Sequence, residues 1–436
     1  GIEKLATERN AIQTLVLVER VCGICSHSHA LTYAMAAEAI NGVEGPERGE
    51  YIRVITAELE RLHSHFLWLG IACHIIGHDS LFMHIWDERE LIMDILEKLS
   101  GNRVNYAMVT VGGSRRDIDD GLKAEILAGV EKLKAPMDRI VEIVLNDKTV
   151  ALRTKGVGVL PKADAIRMGA VGPHARASGV KTDVRRDAPY SAYAAFDFDI
   201  PVIDSGDVFA RVVVRALECY ESIKIIQQAL EKLPEGPINL GNKLIKIKDG
   251  MALARHEAPR GQLSHMVVGD GGFNNRRVSI HVPSYKNTPT VPFMLRGNTV
   301  ADAGLIIASI DPCFSCLDRY ARRMHELAIA KGIIDIVSRE AQERAFTRVL
   351  AVTLSVGEYS GVVPECLEEF FPIAAAGTPA EGAALEFIVP ESEFSCYDCG
   401  YTGAVERKRA CCPRCGGTAL KMTRGREFYV ESLKVE

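Results

Sequence analysis

Residues 20–29 read Arg-Val-Cys-Gly-Ile-Cys-Ser-His-Ser-His, and residues 311–319 read Asp-Pro-Cys-Phe-Ser-Cys-Leu-Asp-Arg. Each stretch holds a C-x-x-C pair, Cys22/Cys25 in the first and Cys313/Cys316 in the second. One such pair can bite a single metal with two thiolates. Two pairs brought together supply four sulfurs, a donor set that favours soft or borderline metals over magnesium or calcium. Three other readings compete on spacing alone. A thioredoxin-like redox motif needs one pair in a βαβ setting, which neither stretch shows. A structural zinc site usually draws on knuckles close in sequence, whereas these pairs stand roughly 290 residues apart. Unrelated buried cysteines are the third.

Working outward, a chain of 436 residues is too long for one ordinary core and implies two or three domains. With 47% hydrophobic and 25% charged residues it has a globular composition, and a net charge of −5 gives no reason to expect nucleic acid as a partner. The greasiest stretch, 66–76, is short and cut by His74, so it reads as a buried helix and not as a membrane span. Membrane association would therefore come through a partner. No secretory signal is evident, and the sequence opens at Gly1, not Met. Twelve cysteines in a chain of this size do not read as a disulfide framework. Cys73, Cys219, Cys366 and Cys411 stand outside the C-x-x-C pairs and read mostly as small buried hydrophobes.

Apolar residues recur at helical spacing through 51–68 and 81–99, with a stop at Ser100-Gly101-Asn102. A loop at Gly112-Gly113-Ser114 leads into another long helical pattern ending near Leu145. Residues 157–201 are rich in Gly, Pro and Ala and read as irregular; a helix fits 207–233 and a small sheet fits 251–292. Beyond Arg319 the texture changes. An amphipathic helix opens at Met324 and runs to about Arg344, followed by a strand at 349–356, a turn at 357–361, a helix at 364–375 and a strand at 385–389. A cysteine-rich segment and an alternating run, 427–435, close the chain.

The residues around the first four cysteines add a resemblance. R-x-C-G-x-C-x-x-x-H together with D-P-C-x-x-C-x-x-R resembles the paired motifs of nickel–iron hydrogenase large subunits. Between them, Glu257-Ala-Pro-Arg260-Gly is similar to that family's active-site arginine segment, and Val282-Pro283-Ser284 to the loop lining the iron's diatomic ligands. The stretch 58–117 resembles the energy-converting, membrane-bound hydrogenases and equally the quinone-site subunit of respiratory complex I, which lacks the four cysteines. The resemblance covers residues 1–319, with the family's N-terminal strands and proton-relay carboxylate missing at the front.

It implies a Ni–Fe(CO)(CN)2 centre with Cys22 and Cys313 as terminal nickel ligands and Cys25 and Cys316 bridging to iron. Splitting H2 into hydride and proton there needs a base, for which Cys313 and Arg260 are the candidates. His29 would hold a bridging sulfur from outside the metal's own ligands, with Pro283 and Ser284 beside it. Glu19 precedes the first motif and reads either as a proton carrier or as a helix-capping or ion-paired residue. His63, His65, His74, His78 and His84 look like a metal cluster but read better as packed or hydrogen-bonded histidines. Arg115-Arg116 and Arg185-Arg186 read as solvated or ion-paired, and Gly269–Gly272 as a turn and not a phosphate cradle.

A second constellation lies near the C-terminus. Cys396-x-x-Cys399 and Cys412-x-x-Cys415 are separated by twelve residues, with Gly400 and Gly416 directly after each pair, which is zinc-ribbon spacing. Cys411 is an alternative ligand to its neighbour. Residues 324–436 resemble the hydrogenase nickel-incorporation accessory proteins, from Met324-His325-Glu326 through 357–364 to the ribbon and the Tyr429-Val-Glu-Ser ending. In that family the leading Met-His-Glu binds nickel, which implies transient nickel at His325 and Glu326; here Met324 is internal and has no free amine.

The expected architecture is α+β and multidomain: a mainly helical hydrogenase large-subunit fold, N-terminally incomplete, over 1–319, then a linker at 320–323. A small α/β nickel-binding domain follows over 324–436, with its zinc ribbon at about 394–418. Large subunits of this kind are often trimmed by a maturation protease, and the family's cut would fall between Arg319 and Tyr320. A joining of two neighbouring genes is the plainer account of the two halves. No cysteine set remains for an iron–sulfur cluster, so the resemblance implies an iron–sulfur small subunit, membrane subunits of an energy-converting complex, ferredoxin and a nickel-insertion GTPase. It places the protein in the cytoplasm, held at the membrane through those subunits. The alternatives are a nickel-handling maturation factor on an inactive scaffold, or a complex I-like quinone-binding subunit.

Overall fold

A computed structural model describes residues 1–241, 246–357, 360, 362, 364–405 and 411–436; the side chains at 318–328, 365–366 and 369–370 lie outside that description. The chain divides into two compact units, Gly1–Arg319 and Tyr320–Glu436.

The first unit is built around the helix Glu47–Ile75, which starts after Pro46 and is buried on nearly every side. Asp79–Ser100 folds back against it and stops at Gly101, whose left-handed conformation (φ +82°) ends the helix where Gly tolerates it best. Val208–Glu231 packs on the other side, its first turn capped by the Asp207 carboxylate accepting from Ala210 N–H. Leu59, Leu62, Phe66, Leu96, Ile126, Ile140, Ile223 and Ile226 are among the residues of this core.

The long helical pattern expected up to Leu145 is two helices, Asp120–Lys132 and Lys134–Asn146. Pro136 explains the break, because a residue without an N–H fits the first turn of a helix and not its middle. Residues 157–201 hold three short helices and a 3-10 turn between irregular segments. The small sheet is antiparallel, with Gly261–Gly269 in the centre between Gly250–Ala258 and Arg277–His281. Helix Ser26–Asn41 packs on it, which carries the first C-x-x-C motif to the sheet.

In the second unit Val349–Val356 lies between Phe428–Val435, antiparallel, and Ala384–Ile388, parallel. Ile333, Val337, Val352, Leu354, Leu367 and Phe371 form its core. The helix expected to open at Met324 is the later part of Phe314–Arg344, which also takes in 320–323, expected as a linker. Neither Gly nor Pro occurs between Phe314 and Lys331, so nothing in the local sequence stops the helix there. A separate three-stranded sheet, with Glu393–Cys396 between Leu420–Arg424 and Thr402–Gly403, carries the C-terminal cysteines. Among the described residues no helix is long and apolar enough to cross a membrane.

Candidate metal centres

Cys25 stands directly before helix Ser26–Asn41, and Cys316 lies in the first turn of Phe314–Arg344. The fold brings these two helix starts together, so cysteines from opposite ends of the first unit converge. Cys22, Cys25, Cys313 and Cys316 are all buried. Cys313 Sγ lies 3.3 Å from Cys22 Sγ, and one ligand atom each of Cys22, Cys313 and Cys316 falls within 4.8 Å of the others. Cys25, His29 and Cys316 form a second such group, with His29 Nε2 at 3.7 Å from Cys316 Sγ. The other ring nitrogen of His29 lies 3.2 Å from His265 Nε2 on the central strand. Backbone N–H groups of Ile24 and Cys25 both donate to Cys22 Sγ at 3.4 Å, the arrangement a tight turn offers a thiolate. Hydrogen bonds from the Cys22 and Cys316 thiols bring the Cys25 thiol down to about 6, against the opposing effect of burial.

Arg260 lies in the two-residue turn joining the first two strands of the sheet, between the paired Ala258 and Gly261. A Cβ on Gly261 would sit 2.7 Å from the Gly172 amide nitrogen, at φ +122°, so a glycine is required beside the arginine. Arg260 is bound twice to Asp311, through Nε to the carbonyl at 2.9 Å and through Nη2 to the carboxylate at 2.9 Å. Burial alone would lower Arg260; Asp311 with Cys22, Cys25 and Cys313 outweighs it and holds the guanidinium well above its ordinary value. Asp311 itself has φ +53°, a strained backbone for a residue with a side chain, two positions before Cys313. Ser284, in the first turn of Pro283–Asn287 beside the buried Pro283, accepts the Cys313 backbone N–H on its hydroxyl at 3.0 Å.

Glu19 ends helix Ala11–Glu19 and is buried. Burial raises its carboxyl to about 7, opposed by Arg20, by the Ala107 N–H and by Arg115. One oxygen has no hydrogen-bond partner among the described residues, and the Arg20 contact is a long 3.9 Å. Glu60 was not picked out from sequence. It accepts the His27 and Ser28 N–H groups at 2.7 and 2.9 Å as well as the Ser28 hydroxyl, yet burial still pushes it up to about 8. Its sequence signal is slight, because it is one of several charged residues on helix Glu47–Ile75.

His63 and His65 are buried and His74 is exposed, and these three and His78 each have a hydrogen-bond partner in the protein. His63 contacts the Ile24 carbonyl, Tyr106 and Arg89; His65 pairs with Glu218; His74 with Asp79; and His78 caps the following helix. Arg115 and Arg116 are exposed, while Arg185 is buried against Asp183 and Glu58.

The donors fit a metal pair. Four thiols converge away from water, and beside them Arg260 Nη1 and Asp311 Oδ2 are buried polar atoms with no partner among the described residues. In the second unit Cys396 Sγ and Cys415 Sγ lie 3.7 Å apart, and Cys399 and Cys412 3.6 Å. A tetrahedral zinc with Zn–S bonds of about 2.3 Å requires sulfur separations of about 3.8 Å, so this set fits zinc, and Cys411 is not part of it. Gly400 and Gly416 turn each knuckle at φ +67° and +74°. The side chains of Arg319, Tyr320, His325, Glu326 and Cys366 lie outside the described residues.

Residues 1–70 match the family described as nickel-dependent hydrogenase, and residues 76–249 and 240–319 that of the respiratory-chain NADH dehydrogenase 49 kDa subunit. A membrane-bound hydrogenase subunit alpha from Pyrococcus furiosus is 44% identical over 337 residues, covering 74% of this chain and 79% of the relative. The chain belongs to the hydrogenase large-subunit family, in its energy-converting, complex I-related group. A carbon monoxide-induced hydrogenase of Rhodospirillum rubrum is 41% identical over 73% of this chain and 88% of the relative. An NADH-quinone oxidoreductase subunit from Desulfotalea psychrophila is 37% identical over 73% of the chain and 86% of the relative. This large-subunit chain also carries, at 324–435, a match to the family described as hydrogenase/urease nickel incorporation, metallochaperone, hypA.

Proposed function

We propose that this chain is the catalytic subunit of an energy-converting hydrogenase, holding a Ni–Fe(CO)(CN)2 centre on Cys22, Cys25, Cys313 and Cys316 and a structural zinc on Cys396, Cys399, Cys412 and Cys415. The observation that carries this reading is the convergence of four buried cysteines with a buried Arg260. When bound, the metal pair supplies the Lewis-acidic centre at which H2 is split heterolytically. The chain's own residues do the rest. Cys313 Sγ, shielded from water, holds the proton first, and Ser284 fixes that residue's backbone. His29 orients the Cys316 sulfur. Arg260, anchored by Asp311, keeps a positive charge over the thiols. Glu19, with its carboxyl near 7, takes and releases a proton at neutral pH and is the next carrier.

Electrons leave through an iron–sulfur partner subunit. Once the two four-cysteine sites are set aside, the remaining described cysteines are Cys73 and Cys219, whose thiols burial raises far above neutrality, and the unpartnered Cys411. Membrane subunits would hold the complex at the cytoplasmic face, with ferredoxin as the electron carrier. The C-terminal domain would deliver nickel through His325 and Glu326, with tethering raising the local donor concentration. The insertion GTPase would act there, and the protease would cut between Arg319 and Tyr320. Elemental analysis with infrared spectroscopy, on the chain made alongside the maturation machinery, tests the proposal. Nickel, iron and zinc in equal amounts, with CO and cyanide bands, support it. Zinc alone, without those bands, favours the maturation-factor scaffold; no iron and a bound quinone favour the complex I-like subunit.

A further inference from the structure

Arg211 and Arg215 lie one turn apart on helix Val208–Glu231 and are buried, at 0% and 1% exposure. Buried Arg53, Arg61, Arg176, Arg185 and Arg260 each meet a carboxylate in an ion pair. For Arg211 and Arg215 the structure shows neutral acceptors instead. Arg211 donates to the Ser309 hydroxyl at 2.9 Å and to the Gly158 and Gly206 carbonyls at 2.8 and 2.7 Å. Arg215 donates to the Ser309 carbonyl at 3.3 Å and the Arg211 carbonyl at 2.9 Å, with its guanidinium 3.9 Å above the Trp68 ring. Each Nε lacks a hydrogen-bond partner among the described residues.

Two adjacent buried cations with no carboxylate in ion-pair contact among the described residues are costly, and the carboxylates nearby are already committed. Asp207 caps its helix and takes the Gly156 N–H, Glu218 takes Arg176 and His65, and Asp311 takes Arg260. Burial lowers Arg211 to about 9, helped by Arg215, and lowers Arg215 to about 10. A compensating negative charge therefore belongs in the same region. Both arginines grip Ser309, which stands two residues before Asp311 and four before Cys313. Asp311 is in ion-pair contact with Arg260 at 2.9 Å, and its negative charge also acts on Arg215.

We infer that Arg215, with Arg211 behind it, is the buried counter-charge of the anionic four-thiolate metal centre. It is a positioning residue, acting through its field and through the backbone from Ser309 to Cys313, and it touches neither metal nor substrate. The inference rests on the nickel–iron reading above.

Arg215→Gln removes the charge while keeping an amide donor, and Arg215→Lys keeps the charge. Each full-length variant is made with the maturation machinery for infrared spectra, and without nickel for thermal melts. In Arg215→Gln the CO and cyanide bands should move to lower wavenumber, because losing a nearby cation leaves more electron density for the diatomic ligands. Arg215→Lys should stay near wild type. The nickel-free Gln variant should melt no lower than nickel-free wild type, while the loaded variant should lose metal at a lower temperature. Unmoved bands in the Gln variant, or an equal loss of melting temperature in both variants with and without metal, would overturn the inference. Should Arg215→Gln fail to fold, Arg211→Gln is read by the same outcomes. Missing diatomic bands in wild type would instead remove the nickel–iron reading, and this inference with it.

Discussion

Glu19→Gln replaces a buried carboxyl with an uncharged group of nearly the same shape. Burial moves the Glu19 carboxyl from 4.5 to about 7, with Arg20, the Ala107 N–H and Arg115 pulling the other way. Such a displacement corresponds to roughly 3 kcal/mol between the protonated and ionised forms. Below 4.5 the carboxyl is neutral in both folded and unfolded chains, and the variant should match wild type. Between 4.5 and about 7 the unfolded chain ionises while the folded chain keeps its proton, so wild type loses stability relative to the variant. Above that window the difference is complete. The first unit has 319 residues, and at about 2.1 cal/mol/K of unfolding entropy per residue the difference amounts to about 4 °C. Calorimetry of the nickel-free chain between pH 5 and pH 8.5 should therefore show the variant gaining about 4 °C across the series. Loaded enzyme should lose about 100-fold or more in hydrogen evolution, because an amide cannot pass the proton on. A melting difference that does not change with pH would refute the buried titration, and normal turnover would refute the relay.

Arg176 is buried among Glu218, Glu257 and Asp183, so Arg176→Met should cost about 3–5 kcal/mol, because Glu257 loses its cation, Glu218 keeps only His65 and Asp183 only Arg185. Chemical denaturation reads this directly, and a loss below about 1 kcal/mol would mean that the charges are solvated. Ser284→Ala takes away the acceptor of the buried Cys313 N–H; about 1–3 kcal/mol of stability should go, with nickel content after maturation falling alongside it. Unchanged nickel content would show that the backbone contact does not hold the ligand. In Cys412→Ser the zinc should disappear while nickel and iron remain, and amide exchange across 393–424 should accelerate. Retained zinc would point to Cys411 as the fourth ligand.

Much of the local structure was legible in the sequence because its causes are local. Asp207 and Gly101 mark helix ends, Gly400 and Gly416 mark knuckle turns, and the apolar spacing of 51–68 lies inside helix Glu47–Ile75. The reading departed from the structure in two places. At 120–146 the periodicity ran straight through the break that Pro136 accommodates, and at 320–323 a suspected linker proved helical. Glu60, Arg176 and Arg215 were missed because a charged residue on a helix reads as solvent-facing until its neighbours are known.

By itself, then, the sequence singled out the candidate metal-binding cysteines and the knuckle turns after Cys399 and Cys415, since spacing and turn geometry act within a few residues. Only the tertiary structure decided that Cys22 and Cys313 stand 3.3 Å apart, that Arg260 is anchored by Asp311, and that Glu19 is buried enough to hold a proton near neutral pH. Those properties come from packing segments hundreds of residues apart into one water-poor interior, where burial and neighbouring charges, not residue type, set how each group behaves.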